Sequence, residues 1–202
     1  MKKTQLLVAT HNRGKAAEFA DMLAELAVDW LTLDDVGITF EVAETGATLA
    51  ENAILKATAY ARASGLLTLA DDTGLFIDAL GGEPGIYPAR YGGLDLTPAQ
   101  RWQLVLRRLA GTPWAARTAR FRCVIALARP AGVVGMVEGV CEGVIAGEAA
   151  GNHGFGYDPI FYVPALGRTL AEMMPAEKHQ ISHRGQAIRA LAPLLRQALG
   201  NS

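Results

Sequence analysis

Cysteine is nearly missing from this chain. Cys123 and Cys141 are the whole complement, too few for a disulfide framework. Both sit in apolar, strand-like runs, so they read as reduced core thiols. Charge is sparse too: Asp, Glu, Lys and Arg make up 19% of the residues, and the formal net charge is −1. No global field of either sign recruits nucleic acid or an anionic membrane, which leaves local basic clusters to grip small anions. No apolar stretch reaches the roughly 18 residues that span a bilayer. Met1-Lys2-Lys3-Thr4-Gln5 leads into only a short apolar strand, without the hydrophobic segment of a signal peptide. A cytoplasmic location, no membrane partner and no nucleic-acid partner are the resulting expectations. Repeats, low-complexity tracts and linkers do not interrupt the chain.

What is present suits a globular protein. Half of the 202 residues are apolar, enough for a substantial core in one domain, or one domain with two lobes. Gln5 to Ala9 reads as an opening strand. Ala16, Phe19, Ala20, Leu23 and Ala27 have helical spacing, which predicts a helix from about Lys15. Thr48-Leu49-Ala50-Glu51 has the capping-box spacing and opens an alanine-rich helix that Gly65 stops after Ser64. Leu66 to Ala70 reads as a buried strand, followed by Phe76 to Leu80. Gly81 to Gly93, rich in glycine and carrying Pro84 and Pro88, reads as a long functional loop. Thr97-Pro98 starts another helix. Thr118 to Leu127 and Val133 to Ile145 flank the turn Arg129-Pro130-Ala131-Gly132 as a hairpin, and Pro159 to Val163 is a further strand. Ile188, Leu191, Ala192, Leu195 and Leu199 mark the buried stripe of a C-terminal helix. Interleaved helices and strands around a hairpin imply an α/β fold with a mixed sheet.

Several segments carry candidate chemistry. Asp71 and Asp72 stand together where the run Leu66–Ala70 ends, just before Gly74. Adjacent like charges call for a cation or a proton-transfer role, and magnesium binds through one or two carboxylates plus substrate phosphates. A solvated turn is the plainer alternative. Thr10-His11-Asn12-Arg13-Gly14-Lys15 is a strand-to-helix turn whose free N–H groups and two cations suit an anion, although it matches neither the Walker A pattern nor the dinucleotide glycine spacing. Lys56 lies one helical turn after Asn52, on one face. Glu41 and Glu44 each offer a second carboxylate to a metal, or a merely solvated loop. Phe155-Gly156-Tyr157-Asp158 combines aromatic faces that stack on a nucleobase with an acid that accepts from ring N–H groups; a tight turn with a packed Phe is the rival. Lys178, His179, Ser182, His183 and Arg184 form a donor-rich patch where the last helix begins, with Ser182 as a candidate N-cap. His179 and His183 have zinc-pair spacing but no Glu follows the first His.

Taken together, these segments resemble the inosine triphosphate pyrophosphatase family. The carrying motifs are Ala9-Thr10-His11-Asn12-Arg13-Gly14-Lys15, Glu44-Thr45-Gly46 with Glu51-Asn52-Ala53 and Lys56-Ala57, and Ala70-Asp71-Asp72-Thr73-Gly74. Pro84-Gly85-Ile86-Tyr87-Pro88-Ala89-Arg90-Tyr91, Phe155-Gly156-Tyr157-Asp158-Pro159-Ile160-Phe161 and Ser182-His183-Arg184-Gly185 complete them. The resemblance implies magnesium-dependent hydrolysis of the triphosphates of inosine, deoxyinosine and xanthosine to the monophosphate and pyrophosphate. It further implies a homodimer, an elongated mixed sheet with helices on both sides, and two lobes flanking an active-site cleft. By position it makes Asp72 the proton acceptor and a metal ligand, and Glu44 the second metal ligand. Thr10, His11, Asn12, Arg13, Gly14 and Lys15 would hold the triphosphate, with Lys15 and Lys56 offsetting charge on the leaving pyrophosphate. Thr73, Phe155, Gly156, Tyr157, Asp158, Lys178, His183 and Arg184 would line the substrate site. His183 and Arg184 would donate to the 6-oxo group of hypoxanthine or xanthine, where adenine presents a donor instead. Two other readings stay open: a nucleotide sensor without chemistry, which the same loops serve, and a nucleic-acid-binding module, against which the net charge argues.

Overall fold

A computed structural model describes residues 5–24 and 28–200. The expectations for Met1 to Thr4 and for Ala27 fall outside them. The elements in chain order are β1 (Gln5–Val8), α1 (Arg13–Leu23), β2 (Asp29–Thr32), α2 (Leu49–Ser64), β3 (Leu67–Ile77) and β4 (Pro84–Gly85). They continue with α3 (Pro98–Arg108), β5 (Thr118–Arg129), β6 (Gly132–Ile145), β7 (Phe161–Val163), β8 (Arg168–Thr169), α4 (Pro175–Ile181) and α5 (His183–Gly200). The sheet runs β2-β1-β3-β5-β6-β7-β8, with β4 on β3. It is mixed, as expected: β1 pairs parallel with β2 and β3, while β3·β4, β6·β7 and β7·β8 are antiparallel.

The chain divides into two compact units. One holds Met1–Asp72, Cys123–Gly139 and Arg184–Ser202; the other holds Thr73–Arg122 and Val140–His183. In the first, Leu6, Val8, Leu67, Leu69, Cys123, Ile125 and Leu127 pack with Phe19 and Leu23 of α1 and Ala187, Ile188, Leu191 and Leu195 of α5. Leu7, Thr68 and Ala70, of the opposite strand parity, are equally buried. Strands covered on both faces read as near-continuous apolar runs, which is why Leu66 to Ala70 shows no alternation. The helical stripe of α5 comes out as expected at Ile188, Leu191 and Leu195; Ala192 is only half-buried, and Ala187 and Ala198 replace it. In the second unit, Leu75, Ile77, Val105, Leu109, Phe121, Cys141, Phe161 and Met173 form a separate core. Both cysteines are buried thiols, and burial pushes the Cys141 thiol up to about 11.

Local chemistry explains the helix ends. Thr48 Oγ1 accepts from the Glu51 N–H and Gly65 closes α2 in the left-handed region. The expected capping box is only half made, because Glu51 Oε2 accepts from the Ala47 N–H rather than from Thr48. At α3 the box is complete, between Thr97 and Gln100. Helix α1 starts at Arg13 rather than Lys15, since Asn12 supplies the cap.

One expectation needs correcting. Asp71-Asp72-Thr73-Gly74 is not a turn after a strand: β3 continues through it to Ile77. Gly74 is there for close approach, not for bending. A Cβ on it would lie 2.7 Å from the Phe76 ring and 2.8 Å from the Gly85 carbonyl of β4. The parallel pairing with β1 ends at Val8↔Leu69 and the pairing with β4 begins at Leu75, so the acids lie between these two stretches of pairing along β3. The site is therefore at the carboxyl end of β1, not of β3. The region Gly81 to Gly93 is likewise not all loop, since it contains β4 and a 3-10 turn at Pro88–Arg90. Strands β2 and β8 and helix α4 were not legible, being too short to show a period.

Candidate active site

Strand alternation decides what the acid pair does. Successive side chains point to opposite faces, so Asp71 and Asp72 do not share a ligand. Asp71 Oδ2 takes an ion pair from Lys15 Nζ at 2.8 Å and another from Arg184 Nη2 at 3.1 Å, and accepts weakly from Cys123 Sγ at 3.8 Å. This is the face carrying α1 and α5. Asp72 Oδ1 pairs with Lys56 Nζ at 2.7 Å, and its Oδ2 accepts from Asn52 Nδ2 at 3.4 Å, both on α2. Helices thus cover both faces of this part of the sheet.

The two carboxylates titrate in opposite directions. Burial works to raise Asp71, but Lys15, Arg184 and Lys56 outweigh it and hold the carboxyl far below its ordinary range. Asp71 is a fixed negative charge. For Asp72, burial dominates and raises the pKa, with Lys56 opposing and Glu44 assisting. A raised carboxyl pKa of this kind suits a proton acceptor. Lys56 is itself desolvated, yet Asp72 and Asp71 raise its pKa and keep it charged.

Around this pair the structure gathers three further groups. Lys56 Nζ also bonds Glu44 Oε1 at 2.8 Å, so Glu44 and Asp72 converge on one ammonium. Glu41 lies on the exposed parity of the same segment, and Glu44 on the half-buried one beside Lys56. Arg184, 1% exposed, binds Glu18 through Nη1 while holding Asp71. Its guanidinium is thus shared between Glu18 and Asp71. Among the described residues no cluster of three or more His, Cys, Asp or Glu side chains is set to hold a metal alone. Two converging carboxylates fit a hard divalent cation whose remaining ligands are substrate phosphates and water.

The first turn is built for anions. Ala9 N donates to Leu69 O at 2.8 Å as the last link of β1. Thr10 Oγ1 accepts from Asn12 N at 3.2 Å, and Asn12 Oδ1 accepts from Lys15 N at 3.1 Å, capping α1. Asn12 is thus committed to the cap. Exposed Arg13 and half-buried Gly14 stand at the positive end of an 11-residue helix. His11 Nε2 lies 3.2 Å from the Phe40 carbonyl.

In the second unit, Asp158 Oδ2 accepts from the Phe155 N–H at 2.8 Å and pairs with buried Lys178 Nζ at 2.5 Å. Lys178 also stands 5.0 Å from the Phe155 ring centroid. Tyr157 is in the core and its hydroxyl donates to Pro88 O at 2.8 Å, so its ring is not a stacking face; Phe155 is the aromatic that stays near charge. His183 stacks on Phe121, with centroids 4.6 Å apart and planes 17° apart. That buried ring packs as an aromatic, not as half of a zinc pair. Thr73 is half-buried on β3.

Sequence reasoning missed Glu18 and the bridging role of Asn52. Glu18 falls among exposed-looking helix residues and nothing local marks it. For Asn52 the signal in the sequence was its place one turn before Lys56; its complete burial and its bond to Asp72 come from the structure.

Residues 6–194 match the Ham1 family. A dITP/XTP pyrophosphatase of Geobacillus kaustophilus is 48% identical over 187 residues, 93% of this chain and 92% of that protein. One of Bacillus subtilis is 46% identical over 191 residues, 95% and 96% of the two chains. Among solved structures, a HAM1 protein from Coxiella burnetii superposes with a TM-score of 0.86 at 43% identity, covering 96% of this chain and 99% of that one. With the match running through the acid pair, the anion turn and the His183–Arg184 segment alike, this chain belongs to the Ham1 family.

Proposed function

We propose that this protein hydrolyses non-standard purine nucleoside triphosphates, dITP, ITP and XTP, to the monophosphate and pyrophosphate. The observation that carries this is the separation of roles at Asp71 and Asp72. One acid is locked as an anion that fixes Lys15, and its neighbour, desolvated and with a raised pKa, faces Lys56 and Glu44. Phosphoryl transfer is mostly positioning and charge neutralisation, and this cluster offers both.

Asp72 and Glu44 would hold Mg2+, which when bound lowers the pKa of water and neutralises phosphate oxygens. Asp72 takes the proton of the attacking water at Oδ2, the oxygen with the longer hydrogen bond, while Oδ1 stays on Lys56. Lys15 and Lys56 stabilise charge growing on the departing pyrophosphate. Thr10 to Lys15 receive the triphosphate at the helix end. Arg184 acts from behind, holding Asp71 and through it Lys15. We assign purine recognition to Thr73, Phe155 to Asp158, Lys178 and His183, with Phe155 as the stacking face. The whole chain, 1–202, then works as one two-lobed pyrophosphatase domain and as a homodimer. No helix among the described residues is long and apolar enough to cross a membrane, in keeping with a nucleotide-pool enzyme of the cytoplasm.

A panel of nucleoside triphosphates with pyrophosphate detection tests the reading. Release from dITP, ITP and XTP, weak release from ATP, and loss in a chelator restored by Mg2+ are expected. Tight binding of dITP with no pyrophosphate in Mg2+ would make the protein a sensor instead.

A further inference from the structure

Residues 40–46 form no helix and pair with no strand, yet they are pinned at regular intervals. Tyr60 Oη donates to Phe40 O at 3.3 Å and accepts from Val42 N at 3.3 Å. Lys56 Nζ takes Glu44 Oε1 at 2.8 Å. Asn52 Oδ1 accepts from Gly46 N at 2.8 Å. The anchors on α2 are spaced by four residues and run backwards, 60, 56, 52, while the pinned residues advance by two, 42, 44, 46. Four residues of α-helix rise about 6 Å, and two residues of extended chain span about 6.6 Å. The two repeats therefore stay in step along one stripe of the helix. An i to i+2 bond from Thr45 N to Ala43 O, 3.1 Å, puts Glu44 at the tip of a γ-turn, which shortens the segment slightly. Burial follows the same beat, with 41, 43 and 45 exposed and 42, 44 and 46 half-buried.

The far end of this strap is shared with the phosphate turn. Phe40 stacks on Tyr60 at 5.5 Å, His11 meets the edge of Tyr60 at 6.2 Å, and His11 Nε2 reaches the same Phe40 carbonyl that Tyr60 holds. At the near end Asn52 also donates to Asp72, and a Cβ at Gly46 would lie 2.8 Å from Asn52 Oδ1, so the amide bond forms only against glycine.

We infer that Tyr60 and Asn52 are positioning residues: together they set the register of the 40–46 strap on α2 and so place the Glu44 carboxylate against Asp72. The inference rests on the proposed function for the role of Glu44 as a metal ligand. Outer partners of metal ligands typically matter about 10–100-fold in affinity.

The test uses the full chain and Mn2+ as the probe, with free ion read by electron paramagnetic resonance and amide exchange read at Val42 and Gly46. Tyr60→Phe keeps both ring contacts and removes only the hydroxyl. It should speed exchange at Val42 and weaken Mn2+ binding about tenfold; Asn52→Ala should do the same at Gly46. In a Glu44→Gln background, adding Tyr60→Phe should leave the residual Mn2+ affinity unchanged, because its path to the ion is gone. Arg62→Ala, on an exposed position of α2, is the control and should match the parent. Native Mn2+ affinity in Tyr60→Phe despite faster exchange overturns the inference, as does a loss that persists undiminished with Glu44→Gln. A parent that binds Mn2+ but hydrolyses no triphosphate sinks the proposed function and leaves the strap standing. A parent that binds no Mn2+ sinks the strap.

Discussion

Replacing Arg184 by Met should unfold the protein more readily than almost any other single change of similar size. The guanidinium is 1% exposed and serves two carboxylates, Glu18 and Asp71. Met keeps most of the alkyl packing, so what is lost is charge. Removing one partner of a buried ion pair destabilises by about 3–5 kcal/mol. Lys15 still holds Asp71 at 2.8 Å, which places the expected loss near the lower end, about 3 kcal/mol. For a chain of this length that is a fall in melting temperature of about 6–12 °C. The pH dependence follows from signs. In the parent, the Asp71 pKa is depressed, so its contribution is present above the unfolded value and lost only as pH falls through the folded one. In Arg184→Met, Asp71 loses one of the cations that depress it, so its pKa moves back towards the unfolded value and less of its contribution is left to lose in acid. The gap between variant and parent should therefore narrow as pH falls from 7 to about 3, and adding Glu18→Gln should recover about 1–2 kcal/mol of it. Calorimetry and urea titration at both pH values measure this. A loss below about 1 kcal/mol, or a gap that widens towards about pH 3, would refute the reasoning.

Four further outcomes are expected. Asp72→Asn should cut dITP turnover at least about 100-fold without lowering the melting temperature. Since burial raises the Asp72 pKa, the ionised form is the less stable one in the fold, and parent stability should grow as pH falls through that raised value. Gly74→Ala forces a methyl against the Phe76 ring and the Gly85 carbonyl and should cost about 1–3 kcal/mol in urea unfolding. Thr97→Ala removes the cap of α3 and should cost about 1 kcal/mol with turnover unchanged, which a paired stability and rate measurement checks.

The parts of the fold legible in the sequence were those with a period or a cap. Helices α2, α3 and α5 announced themselves through Thr48, Thr97 and the Ile188–Leu195 stripe, and the β5–β6 hairpin through its Pro-Gly turn. Strand β2, strand β8 and α4 are too short to repeat anything. The Asp-Asp-Thr-Gly run misled because its composition is that of a turn, while the pairing of β3 with two different neighbours keeps it extended. At the site, charged residue types could be picked out but not their partners. Nothing in spacing tells that Arg184 reaches Glu18 across 166 positions of chain, or that Tyr157 turns inward to Pro88. Those pairings are set by tertiary packing, which local propensity does not encode.

The most direct measurement is the product balance with dITP in Mg2+, resolved by chromatography. The proposed function predicts dIMP and pyrophosphate in equal amounts, with no orthophosphate, and formation of both slowed at least about 100-fold in Asp72→Asn. Appearance of dIDP with orthophosphate, or full product formation by Asp72→Asn, would contradict it.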